Sequence, residues 1–256
     1  MLIKKRPRLL RCGAPLLLAL LLGACATAPR WPAVSETPTG QHMPGRWVWM
    51  DLLTPDLDAS KRFYREVFDW HFEPVTGPAD RYLLVRADER GFAGMVQHAN
   101  ADEAGRRARW LGLLSVADVV ESTRLADAAG GSTRLPAKPF PGRGEIAVLA
   151  DPEGDPFAVI RAAGGDPPDS FPTPGSLLWM ELWAGDAERM ARFYQPIGGY
   201  RLKPSQTVSG IEEWHLVAYG YPRAGVVQAK SGDVVSREVP AAVNLPPRPG
   251  LRFACS

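Results

Sequence analysis

The sequence predicts an α+β fold assembled from repeated βαβββ units, and three observations carry that expectation. Trp49-Met50-Asp51-Leu52 recurs as Trp179-Met180-Glu181-Leu182 at an offset of 130, and the offset continues through Asp56 and Asp186, Phe63-Tyr64 and Phe193-Tyr194, and Trp70 and Tyr200. Self-similarity at a fixed period marks a duplicated structural unit. Each copy opens with strict alternation (Trp47, Trp49, Asp51 and Leu53 against Val48, Met50 and Leu52), the period of a strand. An aspartate then starts a segment with apolar residues four apart, the period of a helix.

The elements follow in order. The opening strand is succeeded by Thr54-Pro55-Asp56, a cap, and by a helix whose stripe is Ala59, Phe63 and Val67. Apolar runs at Tyr82 to Val85 and Phe92 to Val96 complete the first βαβββ unit. The second copy closes the same way, since Gly225-Val226-Val227-Gln228 matches Gly94-Met95-Val96-Gln97 after a one-residue slip. A more distant repeat lies between them. Trp110 to Val116 reads as a strand, Ala117 to Ala129 as a helix ended by Gly130-Gly131, and Glu145 to Ala150 and Phe157 to Arg161 as strands joined at Asp151-Pro152-Glu153-Gly154.

Composition fits this layout. The 256 residues, 45% hydrophobic and 23% charged with 25 Gly and 25 Pro, describe a turn-rich globular protein rather than a helical bundle or a peptide scaffold. The net charge of +2 is carried by the N-terminus: Lys4, Lys5, Arg6, Arg8 and Arg11 precede the apolar run Leu16 to Leu22, a signal-peptide pattern too short to span a bilayer. Leu21-Leu22-Gly23-Ala24-Cys25 resembles a bacterial lipobox, which implies removal of residues 1–24 and lipidation of Cys25. By the resemblance to bacterial lipoproteins, Ala26 after the cysteine implies sorting to the outer membrane of a Gram-negative cell, facing the periplasm. The mature chain would carry 25 basic and 28 acidic side chains, a balance of −3, which removes the electrostatic case for a nucleic-acid partner. Cys255 is then the single free cysteine, so no intrachain disulfide is expected. Residues 25–44, with four prolines, read as a tether that leaves the lipid as the only membrane contact.

The ordered motifs resemble the vicinal oxygen chelate superfamily, the glyoxalase, bleomycin-resistance and extradiol-dioxygenase fold. Its Trp-x-[Asp/Glu]-Leu openings and Phe-Tyr helices are similar to the tandem-domain, lactoylglutathione lyase-related branch. The resemblance implies that residues 45–163 form one cupped domain of two βαβββ modules. A linker at 164–175 leads to an incomplete second domain at 176–256, because a counterpart of Arg161 to Ala163 would fall near 292 to 294. Residues Asn244 to Ser256 would begin the fourth module. The lone third module would expose Trp179, Glu181 and Trp183, which leads to the expectation of symmetric pairing with a second copy, or of lower stability.

The resemblance also implies four His or Glu metal ligands on the concave face. The first ligand position, seven residues before the helix-starting aspartate, holds Trp49, Trp179 or Leu111; the last, seven after Asp151, holds Ala158; the fourth falls near Gln97 or Met95. None offers a His or Glu donor, so no metal and no other cofactor is expected. The remaining set is Trp49 with Asp51 and Trp179 with Glu181, with Gln97 and Gln228 closing the same wall. An aromatic platform beside an acid suits a flat or cationic small organic ligand. The competing reading is that the tryptophans are core and the acids are satisfied by arginines. If the protein is an enzyme, a metal-independent lyase or isomerase would use Asp51 or Glu181 as general base.

Overall fold

The computed structural model describes residues 30–75, 82–98, 108–169, 175, 177–207 and 210–229. The expected leader, Cys25, Cys255 and the segment from Asn244 onward lie outside them.

The first module runs β1 (Trp47–Thr54), α1 (Leu57–Phe68), β2 (His71–Pro74), β3 (Tyr82–Ala87) and β4 (Arg90–Gln97). The second runs β5 (Arg109–Ser115), α2 (Val119–Ala128), β6 (Ser132–Phe140), β7 (Gly144–Ala150) and β8 (Pro156–Ala162). The third is β9 (Glu181–Ala184), α3 (Ala187–Gly198), β10 (Arg201–Gln206), β11 (Glu212–Ala218) and β12 (Tyr221–Gln228). All three helices start identically: Asp56, Asp118 and Asp186 accept from the backbone N–H three residues on, at 2.8, 2.8 and 2.9 Å. Among the described residues no helix is long and apolar enough to cross a membrane.

Modules one and two share a single sheet, ordered β2-β3-β4-β1-β5-β8-β7-β6. Its centre is the antiparallel pair β1 and β5, with Asp51 opposite Leu111 and Trp49 opposite Leu113, flanked by the parallel pairs β1/β4 and β5/β8. With β2 in the first module, strand β6, which carries Pro136 and Pro139, is among the strands that the alternation pattern misses. It lies at the sheet edge, where a missing N–H costs no ladder bond.

The third module forms a separate sheet, β10-β11-β12-β9. Its helical side is buried: α3 packs on α2, and Leu216, Ala224 and Val226 join Leu114, Leu149, Phe157 and Val159 in one core. On its other face Trp179, Glu181 and Trp183, expected to be exposed, are half-buried. At the junction, Met180 Cε and the Trp47 ring occupy the place of a side chain at Gly112, where a Cβ would meet both at 2.9 Å. Glu153 adds hydrogen bonds from the backbone N–H groups of Gly185 and Asp186 at 3.0 and 3.2 Å.

Two expectations change. The helix stripe of α1 is rotated: Leu57, Tyr64 and Phe68 face the core, while Phe63 is 56% exposed. The equivalent Phe193 is 3% exposed, because α3 lies between two sheets and α1 covers one. The tether and linker are also not free segments where described. Thr39 Oγ1 donates to Asp166 O at 2.7 Å, Gly40 N–H to Gly164 O at 3.0 Å, and Met43 N–H to Asp166 Oδ2 at 2.6 Å. Trp31 and Val34 supply enough apolar surface to dock, and the nearby prolines lower the entropy lost in doing so.

Candidate functional site

The concave face of the first cup is built by register. Trp49 and Asp51 are two apart on β1 and so point the same way. Trp49 faces Leu113, Leu113 faces Ala158, and Ala158 faces Val148 across successive strands. Trp49, Leu113, Ala158, Ile146 and Ile160 form one apolar cluster, with Leu111 and Leu84 packed against it. The implied metal positions Trp49, Leu111 and Ala158 thus stand on this wall as core side chains, and none carries a donor for a divalent ion. The fourth position lies elsewhere. Met95 is buried in the core beneath α1, and Gln97 donates through Nε2 to Pro55 O at 2.7 Å. The residues present do not fit the metal that the fold family implies.

Asp51 is held by three partners. Its Oδ1 accepts from Trp49 Nε1 at 2.9 Å and from Tyr82 Oη at 2.5 Å, and its Oδ2 accepts from Arg143 Nη1 at 2.7 Å. Arg143 Nη2 also donates to Tyr82 Oη at 2.6 Å. The guanidinium carbon lies 5.1, 5.3 and 5.5 Å from the ring centres of Trp49, Tyr82 and Trp31. The expected aromatic platform with an acid for a cation therefore exists, but its cation is the chain's own Arg143, with a side chain only 2% exposed. Burial opposes the Arg143 charge, yet Asp51 and Tyr82 outweigh it and its pKa is raised. Burial, with Asp51 adding, pushes the Tyr82 phenol well above its ordinary value, so it acts as a donor. Gly94 makes room: a Cβ there would collide with Asp51 Oδ1 and Tyr82 Oη. With both oxygens engaged, Asp51 is poorly placed as a base.

Gln97 and Gln228 do not close the cup wall. Both latch the strand-to-helix turn, Gln228 by donating to Gly185 O at 2.7 Å and accepting from Ala187 N–H at 3.0 Å. Sequence reasoning passed over Arg143, Tyr82 and Trp31. Tyr82 was reachable through the repeat, since its counterpart by register is Glu213; Arg143 sits in a Gly-Arg-Gly turn that carries no local signal.

The second copy differs. By the same register Asp51 corresponds to Glu181, Leu84 to His215 and Gly94 to Gly225. Glu181 Oε1 accepts from Trp183 Nε1 at 2.6 Å, and His215 Nε2 lies 3.2 Å from Glu213 Oε2. Trp179 meets the His215 ring edge-on at 5.8 Å, and a Cβ at Gly225 would lie 3.1 Å from Trp179 Cζ2. Among the described residues no three His, Cys, Asp or Glu side chains are grouped to hold a metal.

Trp179 also lines an open cleft of roughly 410 Å³ with Trp47, Leu177, Met180 and Tyr221. Its polar rim is Arg223, bidentate on Asp169 at 2.8 and 2.8 Å, and Arg46 at 3.4 Å from the same acid. Glu181 lines a small neighbouring apolar crevice of roughly 70 Å³ beneath Trp47, Phe157 and Leu182.

Comparison with known proteins agrees with this architecture. Residues 47–160 match the glyoxalase-like domain family. The anthracycline biosynthesis protein DauV of Streptomyces sp. (strain C5) is 30% identical over 188 residues, 68% of this chain and 68% of its own. The Mn(II)-bound glyoxalase of Novosphingobium aromaticivorans superposes with a TM-score of 0.50 at 20% identity, over 74% of this chain and 62% of that one. An extradiol ring-cleaving dioxygenase from B. fuscum gives a TM-score of 0.52 at 16% identity, over 76% of this chain and 56% of that one. The chain spans less than two thirds of either structure, and at these identities the likeness is one of fold. The glyoxalase-like match over residues 47–160 and the 30% identity to DauV, on a chain whose described residues form three βαβββ modules, place it in the vicinal oxygen chelate superfamily.

Proposed function

We propose that this protein is a lipid-anchored envelope protein that binds a flat small organic molecule without a metal. The observation that carries the reading is the contrast between the two copies of the Trp-x-acid opening. Trp49 and Asp51 are closed off around Arg143, whereas Trp179 lines an open cleft with Trp47, Met180 and Tyr221. A cleft with an aromatic wall and a few charged groups at its rim suits stacking, with orientation set by the rim. Because a relative is an anthracycline biosynthesis protein, polycyclic aromatic compounds are the first ligands to test. Glu181 borders the neighbouring crevice, which supports a base-catalysed lyase or isomerase as the second reading.

The test is a fluorescence titration of the full chain in detergent with polycyclic aromatic probes, beside metal analysis. Saturable quenching that Trp179→Ala abolishes, in a protein without stoichiometric transition metal, is the expected result. Binding that survives Trp179→Ala, or a melting temperature lowered by chelator, would overturn it. Turnover lost in Glu181→Gln would favour the enzyme. Mass spectrometry of the mature N-terminus should show an acylated Cys25, and an unmodified full-length chain would sink the anchor.

A further inference from the structure

Residues 31–36 lie across the mouth of the first cup and are held there by four kinds of contact. The Trp31 ring meets Tyr82 edge-on and Phe140 at a tilt, both at 5.5 Å, and its backbone N–H donates to Pro141 O at 2.8 Å. Pro32 O accepts from Arg143 Nε at 2.8 Å. Val34 is 3% exposed among Trp49, Leu113, Ile146, Ala158 and Ile160, the cup's own wall. Glu36 pairs with Arg86.

The cup side of this contact is shaped for a chain. Arg143 divides its donors, giving Nη1 and Nη2 to Asp51 and Tyr82 inside the cup and Nε to a main-chain carbonyl outside it. Gly142, at φ +89°, admits that main chain: a Cβ there would lie 2.6 Å from Trp31 O. A half-buried aromatic anchor, a shared main-chain hydrogen bond, a small apolar pocket and a rim ion pair are the parts of an extended-peptide site.

We propose that the first cup is a binding site for an extended peptide of the pattern Trp-Pro-x-Val-x-Glu. It is filled in cis by residues 31–36 and can exchange them for the same segment in trans. The proposal stands apart from the cleft at Trp179, so a Trp179→Ala chain should bind peptide unchanged.

The experiment uses a fluorescent synthetic peptide of residues 30–38 and the full chain in detergent. A chain with Trp31→Ala and Val34→Ser should bind the peptide saturably by anisotropy, with wild type at least about tenfold weaker because its own segment competes. A peptide with alanine in place of the tryptophan should lose about tenfold, as loss of a half-buried aromatic contact does. Should that variant fail to fold, a protease site inserted after the exposed Glu36 of the wild type serves instead. The cut segment should stay with the protein on gel filtration and be displaced by excess peptide but not by a scrambled one. Equal binding to wild type and variant, no binding to either, or a cut segment that cannot be displaced would overturn the proposal.

Discussion

Arg143 and Asp51, 92 residues apart in the chain, meet at 2.7 Å inside the first cup. The pair places a buried cation against Trp49, a position where the resemblance implies a metal ligand. A charge buried to this degree is tolerable only while its partners are in place.

Arg143→Met should therefore destabilise the protein by about 3–5 kcal/mol, because it strands the Asp51 carboxylate. Arg143→Met combined with Asp51→Leu should cost less than Arg143→Met alone, since no unpartnered charge remains. Urea unfolding of the two variants checks this; a double variant worse than the single one would contradict it.

The duplicated Phe-Tyr motif allows a matched comparison. Phe193→Ala should cost about 3–5 kcal/mol, as truncation of a buried aromatic does, and should make residues 177–229 labile to protease. Phe63→Ala, at the same place in the first copy, should change stability by less than about 0.5 kcal/mol. Thermal denaturation and limited proteolysis read both.

Asp151 supplies a pH test. Its Oδ1 accepts from Glu153 N–H and Asp155 N–H at 2.9 and 2.9 Å and its Oδ2 from Tyr194 at 3.2 Å, yet burial outweighs these bonds and raises its pKa above the ordinary 3.8. A carboxyl that ionises later in the folded than in the unfolded chain costs stability as pH rises from its ordinary value through its folded one. Asp151→Asn keeps an acceptor for both backbone groups and removes that cost. The variant should equal wild type near pH 3 and exceed it at pH 7; a variant less stable at pH 7 would show that the ionised form is needed.

Gly94 and Gly199 should respond differently to alanine. At Gly94 the added methyl strikes Asp51 and Tyr82 and should cost about 3 kcal/mol, the upper end of core overpacking. At Gly199, with φ +66° and open space around it, only the left-handed backbone is penalised, by about 1 kcal/mol. Chemical denaturation of both variants decides.

Local and periodic information determined the modules. The aspartate caps at 56, 118 and 186, the alternation at Trp47 to Leu53 and the repeated openings all act through neighbouring residues, so they were legible in the sequence. The positions that the resemblance implies for metal ligands, Trp49, Leu111 and Ala158, are found by counting from Asp56, Asp118 and Asp151, so their identity is equally a matter of the sequence. The repeat also identified Trp49 and Asp51 as neighbours on one face, and the alternative that an arginine satisfies the acid proved the relevant one. Only the tertiary structure decided that the arginine is Arg143, since nothing local links a Gly-Arg-Gly turn to β1. It decided likewise that Phe193 is buried where Phe63 is exposed, because the second face of α3 is covered by a module distant in the chain. The role of residues 31–36 was hidden for the same reason: a proline-rich segment with two apolar side chains reads as a tether until a cup of matching shape closes around it.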